Sequence, residues 1–114
     1  MTKFINLTPH PVRIFNEIGE VVLETLPMPT MRTPRVFQSN QKDCMLTNAK
    51  GQGIPVFSAR YGEVVNLPPP QPDTFYIVSR MVRQAVEGRD DVVCPGVAIR
   101  DDNGAIIGAK GLSY

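Results

Sequence analysis

The feature that most constrains the fold is the stretch from Thr74 to Arg100, in which a strand, a helix and a second strand follow each other closely. Residues 74–78 (TFYIV) are β-branched or aromatic, as is typical of a strand, and Ser79 stands where a helix N-cap is expected. Apolar residues then recur at steps of three and four, which predicts a helix over residues 79–87 that ends at Gly88. The residues expected on its core side are Val78, Met81, Val82, Ala85 and Val86.

Short extended runs, broken by eleven prolines and nine glycines, make up most of the remaining chain. Alternating apolar residues predict an antiparallel hairpin over residues 12–23 with its turn at 16–19. Asn103-Gly104 predicts a second hairpin, closed by a type I′ turn. We therefore expect an α+β fold that is mainly β, namely a small antiparallel β-barrel or sandwich-like sheet with one helix, in a single domain spanning residues 1–114.

The middle of the chain is harder to interpret. Pro27 and Pro29 are expected to interrupt strand pairing before an edge strand at residues 33–37. The polar composition of residues 38–53 predicts a long, mobile connection. A further strand is expected over 54–59, and a turn into a short strand over 61–65. Four prolines within residues 68–72 favour either a rigid spacer, which is the commoner case, or a polyproline II recognition motif.

Charge and hydropathy exclude several classes of protein. The net charge is +1, which is too balanced for a general affinity for nucleic acid or for an anionic membrane. No apolar run approaches the roughly 20 residues that cross a bilayer. The first residues lack the apolar centre of a signal peptide, so we expect a cytoplasmic protein. In that compartment Cys44 and Cys94 are expected to be free thiols and not a disulfide.

Catalytic machinery is not evident in the sequence. His10 is the only histidine and has no partner close in sequence, so a structural or capping role is the commoner explanation. The spacing of cysteines, histidine and acids does not match a metal site, and Gly51-Gln52-Gly53 lacks the lysine and hydroxyl residue of a phosphate-binding loop. We predict a non-enzymatic protein with no catalytic residue, no metal and no cofactor.

A weak anion site is predicted at the start of the helix. Free backbone N–H groups near Ser79 lie beside the guanidinium of Arg80, and Arg83 follows one turn later. Arg89 lies at the opposite end of the helix, so a contact between subunits could be needed to bring all three arginines to one ligand. Asp90 and Asp91 would either accept ribose hydroxyls or pair with Arg89, and pairing is the commoner arrangement.

Two stretches resemble a known family. They are Asn6-Leu7-Thr8-Pro9-His10, and Tyr76-Ile77-Val78-Ser79 followed by Arg89-Asp90-Asp91-Val92. Together they resemble short proteins of unassigned activity from tailed bacteriophages and prophages. The resemblance implies a viral origin and action in the host bacterial cytoplasm.

The function expected from this resemblance is binding. The leading hypothesis is that the protein counters host defence by sequestering a small nucleotide signal, of the cyclic ADP-ribose or cyclic oligonucleotide type, as a homo-oligomer. A virion or host-takeover module that binds protein is the alternative, and a nucleotide-cleaving enzyme with His10 or Asp90 as base is a third. The expected ligand-binding residues are Asn6, Thr8, His10, Ser79, Arg80, Arg83, Arg89, Asp90 and Asp91.

Overall fold

A computed structural model describes residues 1–28 and 32–114. Over these residues the chain forms eight strands and one short helix. In chain order they are β1 (Lys3–Asn6), β2 (Val12–Phe15), β3 (Val21–Thr25), β4 (Arg35–Thr47), β5 (Gly53–Val65), β6 (Thr74–Ile77), α1 (Arg80–Ala85), β7 (Val92–Arg100) and β8 (Ile106–Ser113). The expectation of a mainly β protein with one helix is confirmed.

A mixed sheet in the order β1-β6-β7-β8-β2-β3 forms the body of the protein. The neighbours β1–β6, β6–β7 and β8–β2 are parallel, whereas β7–β8 and β2–β3 are the two predicted hairpins. Its two end strands approach each other through a bridge between Asn6 and Pro27, so the sheet is nearly closed and barrel-like. The sequence led us to expect an antiparallel sheet, because parallel partners lie far apart in the chain and leave no local signal. The predicted effect of Pro29 lies outside the described residues.

Helix α1 forms for the predicted reason but is shorter than expected. Ser79 is the N-cap, and its Oγ accepts a hydrogen bond from the backbone N–H of Val82 at 3.3 Å. The helix ends at Ala85, and Val86 is the C-cap. Gly88 has a positive φ of 70° but lies beyond the C′ position that we predicted for it. Met81 is exposed, because only six helical residues leave room for a narrow buried stripe centred on Val82.

The three hairpins share one turn, which the sequence interpretation missed. Each has an Asx residue, two intervening residues and a glycine at positive φ, in the segments Asn16–Gly19, Asn48–Gly51 and Asp101–Gly104. The Asx side chain accepts two backbone N–H bonds across the turn, of 2.9 to 3.1 Å. Asn103 is not at positive φ, so the predicted type I′ turn is wrong. An Asx-capped loop with glycine at the left-handed position replaces it.

Residues 38–53 are not a mobile connection. Strands β4 and β5 are each 13 residues long and pair antiparallel from Arg35↔Val65 to Thr47↔Gly53. The predicted turn at residues 61–65 is likewise part of β5. We call this hairpin, residues 35–65, the arm. Most of its side chains are exposed on both faces, so the alternation that marks a half-buried strand is missing from its sequence.

The hydrophobic core lies on both faces of β6 and β7. One cluster contains Tyr76, Val78, Val82 and Val92 under the helix, and the base of the arm packs against it through Val36 and Val64. The other cluster fills the inside of the sheet and contains Val12, Ile14, Ile77, Val93 and Ala109. Cys94 is buried, Cys44 is exposed on the arm, and both are free thiols as predicted.

The proline run is held as a rigid connection into β6. The buried Tyr76 donates its hydroxyl to the carbonyl of Pro69 at 3.1 Å, and Thr74 Oγ1 donates to the carbonyl of Pro72 at 3.0 Å. Prolines offer carbonyl acceptors but no N–H donor, so side-chain donors are the natural way to fix such a run.

Candidate functional site

The predicted ligand residues fall into two groups at opposite ends of the parallel strands. Thr8 and His10 follow β1, and Ser79 and Arg80 follow β6, so these residues lie at the carboxyl ends of two paired strands. Arg89, Asp90 and Asp91 precede β7, which runs parallel to β6, and so lie at its amino end. A single protomer therefore does not gather both groups around one small ligand.

Asn6 is a structural residue of the closed sheet. Its side chain is 1% exposed; Nδ2 donates to the carbonyls of His10 at 2.8 Å and Thr25 at 3.2 Å. Its Oδ1 accepts from Thr8 N at 2.9 Å and from Thr8 Oγ1 at 2.6 Å. These four bonds occupy the amide and tie the end of β1 to β3. The Asn6–His10 motif thus fixes the chain, and Pro9 and His10 are its exposed residues.

The start of α1 has little capacity left for an anion. Ser79 Oγ already accepts from Val82 N, and the helix is six residues long, so its dipole is small. Arg80 is exposed at this position. The guanidinium remains available to a ligand, whereas the hydroxyl of Ser79 is committed to the cap.

Arg89 and Asp91 form an ion pair, which is the commoner of the two arrangements that the sequence suggested. Nε and Nη2 of Arg89 donate to the two carboxylate oxygens of Asp91 at 2.8 and 2.9 Å, and Nη2 also donates to the carbonyl of Pro68 at 3.0 Å. The hydrogen bonds from Arg89 lower the pKa of the Asp91 carboxyl below its usual value and raise the pKa of the guanidinium. Asp90 is exposed beside them.

An arginine–tyrosine contact near α1 was not foreseen from the sequence. The guanidinium of Arg83 lies over the ring of Tyr114, 5.4 Å from its centre, and Nη1 donates to the carbonyl of Val86 at 2.8 Å. Nε of Arg83 is buried and has no hydrogen-bond partner among the described residues. The ring of Tyr114 is largely exposed. The two residues are 31 positions apart, so no local pattern indicates their contact.

A groove elsewhere in the sheet contains none of the predicted ligand-binding residues. It has a volume of about 650 Å³ and lies between β2, β3, β7 and β8. Val12, Ala98, Ile107 and Ala109 give it an apolar lining, and Arg13 pairs with Glu24 at its rim at 2.6 Å. This lining suits an apolar group better than a phosphate.

Within residues 1–28 and 32–114, no group of three or more histidine, cysteine or acidic side chains is arranged to hold a metal ion. No helix in the same ranges is long and apolar enough to cross a membrane. Comparison of the chain with protein-family models, with curated proteins and with solved structures finds no match in any of the three. The fold and the site therefore define a class only: a small, mainly β protein with an extended arm and an arginine–tyrosine surface.

Proposed function

We propose that the chain is a non-enzymatic binding protein for a small nucleotide signal and that it acts as a homo-oligomer. The observation that carries the proposal is the exposed ring of Tyr114 backed by the guanidinium of Arg83. An exposed aromatic ring offers a stacking face to a base, and the neighbouring guanidinium of Arg83 offers positive charge to a phosphate. A nucleotide presents both chemical groups.

Arg80 adds a second cation to this surface. Residues three apart on a helix have neighbouring side chains, so Arg80 and Arg83 lie on adjoining parts of α1. Arg83 is anchored through Val86 and keeps its plane fixed, while Arg80 is exposed and free to follow a phosphate. One fixed and one adaptable guanidinium fit a ligand with a rigid base and a flexible phosphate.

The biological role that we propose is sequestration of a nucleotide signal of host defence in the bacterial cytoplasm. The resemblance of two motifs to phage and prophage proteins supports it. Arg89, Asp90 and Asp91 lie at the far end of β6 and β7, so they would reach the same ligand only from a second protomer. Sequestration needs tight binding without turnover of the ligand.

The test is native mass spectrometry with NAD, ADP-ribose, cyclic ADP-ribose isomers and cyclic dinucleotides. We expect a discrete oligomer that gains the mass of one intact nucleotide. Arg80→Gln and Tyr114→Leu should each lower the affinity about tenfold, and Tyr114→Phe should retain it. Arg13→Gln is the matched control, because it removes the same charge from β2 and leaves α1 unchanged. The proposal would be overturned if the wild-type chain bound none of these nucleotides, or if Arg80→Gln and Tyr114→Leu bound them as tightly as the wild type.

A protein-interaction module is the second candidate, and the arm favours it. Exposed aromatic and aliphatic side chains on a projecting hairpin are typical of a surface that binds protein. This function predicts a stable complex with a macromolecule and no response to nucleotides in the same experiment. Turnover of any nucleotide in the panel, lost in His10→Ala, would instead support the enzymatic hypothesis.

A further inference from the structure

The arm carries an apolar stripe on one face, formed by alternate residues of β5 and one residue of β4. Alternate residues of a strand point to the same side, and residues directly opposite each other share a side. The stripe consists of Met45, Pro55, Phe57, Ala59 and Tyr61, and Met45 is directly opposite Pro55. All five side chains are exposed. We call this set the arm stripe.

The protein exposes more surface than a compact monomer of its mass. Its accessible surface is 8205 Å², whereas a compact monomer of 12.6 kDa exposes about 6200 Å². Its radius of gyration is 18.3 Å, against about 13 Å for a compact domain of this length. The excess of about 2000 Å² is in the range that each protomer buries in a permanent dimer. Beyond its packed base the arm resembles an isolated two-stranded hairpin, which is marginally stable in water, so a cover would stabilise it.

We propose that the arm stripe is the contact between two copies of this chain, related by a two-fold axis that passes near Ala59. The order of residues along the stripe fits this symmetry. In an antiparallel arrangement centred on Ala59, the small residue of each copy faces its equivalent, and Phe57 of one copy meets Tyr61 of the other. The two large rings then fill the space beside the small residue on both sides of the axis, which is the self-complementarity that a two-fold contact requires.

The opposite face of the arm differs in chemistry. At its centre Arg60 donates to Gln41 at 3.0 Å and to Asp43 at 3.4 Å, and Ser58 donates to Asp43. These polar groups satisfy one another, so the centre of this face, opposite Ala59, has less to gain from a partner. Nearer the tip this face is also apolar, because Cys44, Leu46 and Ile54 lie there and are exposed.

Leu46 provides a matched control for Phe57, because each is 57% exposed and they lie on opposite faces of the same arm. Phe57→Ser combined with Tyr61→Ser should raise the dissociation constant of the dimer at least about 30-fold in sedimentation equilibrium. Leu46→Ser should leave it within about twofold. Circular dichroism checks that each variant is folded. A wild-type chain that is monomeric at micromolar concentration, or a dimer that dissociates with Leu46→Ser and not with the double variant, would overturn the proposal.

Cross-linking tests the position of the axis independently of affinity. Ala59→Cys in a Cys44→Ser background should give covalent dimers with a short bifunctional maleimide. The wild-type chain, with its exposed Cys44 on the opposite face, should not. Cross-linking through Cys44 alone would contradict the assigned face. The inference rests on the proposed function only for the homo-oligomer, which a monomeric wild-type chain would remove from both. Both experiments are done without nucleotide, so their failure leaves nucleotide binding to be decided by the mass-spectrometry panel.

Discussion

Arg89 and Asp91 form a two-point ion pair, in which Nε and Nη2 of the guanidinium donate to the two carboxylate oxygens at 2.8 and 2.9 Å. The pair is largely buried, with side-chain exposures of 21% and 18%. Nη2 also holds the carbonyl of Pro68, and the backbone carbonyl of Asp91 accepts from Tyr76 N at 2.8 Å. The pair therefore joins the proline run to the start of β7, which assigns it a structural role.

Removal of Arg89 should destabilise the fold. Arg89→Ala leaves the Asp91 carboxylate and the Pro68 carbonyl without a donor, and we expect the free energy of unfolding to fall by about 2 kcal/mol. Urea denaturation gives the comparison. Arg13→Ala is the control, because its pair with Glu24 is 51% and 57% exposed and should contribute only about 0.5 kcal/mol. Equal losses in the two variants would contradict the structural role.

The Arg89–Asp91 pair should also make stability depend on pH. The hydrogen bonds from Arg89 depress the pKa of Asp91 in the folded state below its usual value of 3.8. A depressed pKa contributes stability above the unfolded value, and that contribution is lost as the pH falls through the folded pKa. We expect the unfolding free energy of Asp91→Asn to decline less steeply below pH 3.8 than that of the wild type. If the unfolding free energies of the two proteins fell equally steeply below this pH, Asp91 would not cause the pH dependence.

Substitution of Asn6 should destabilise the fold more than substitution of most other polar residues. Asn6→Ala removes four hydrogen bonds and leaves buried carbonyls and N–H groups unpaired between β1 and β3, so a loss of about 3 kcal/mol is expected. Thr8→Val removes only the hydroxyl and should cost about 1 kcal/mol. Thermal unfolding followed by circular dichroism separates them. If Asn6→Ala is as stable as the wild type but loses its ligand, the residue belongs to the site instead.

Substitution of alanine for glycine should lower the stability of the fold by different amounts at Gly96 and Gly104. A Cβ at Gly96 would meet the backbone carbonyl of Lys110 and lie 2.9 Å from that of Gly111, so Gly96→Ala should disrupt the β7–β8 pairing. Gly104 has a φ of +83° with open space around it, and Gly104→Ala should cost only about 1 kcal/mol of backbone strain. Chemical denaturation measures the free energy of unfolding of both variants, and Gly96→Ala should lose more. The order would be reversed if strain at the turn outweighed the close approach of the strands.

Local chemistry explains what the sequence predicted correctly. Ser79 is followed by an amphipathic turn, so the helix and its cap could be recognised within nine residues. The hairpins around residues 16–19 and 101–104 likewise depend on neighbours in sequence. The turn type at Asn103 was wrong, because the dipeptide suggests one geometry and the Asx residue before it, Asp101, selects another.

The arm shows why residues 38–53 were misjudged. Its composition is polar and its strands are exposed on both faces, so its sequence has the character of a loop. It is ordered by long-range pairing and by the turn at Asn48–Gly51, neither of which leaves an apolar pattern. The sequence of the Asn6–His10 motif likewise does not disclose that the Asn6 amide is buried and fully hydrogen-bonded, so its assignment to a ligand site stays a prediction.

The sequence by itself determined the mainly β character, the single amphipathic helix with its Ser79 cap, and the two short hairpins. Each of these features depends on residues that are close to one another in the sequence. Only the tertiary structure decided which strands pair in parallel, how Asn6 closes the sheet, and that Arg83 meets Tyr114. These contacts join residues from 16 to 95 positions apart. Their free energy comes from burial and pairing that exist only once the chain has folded, so a local pattern does not encode them.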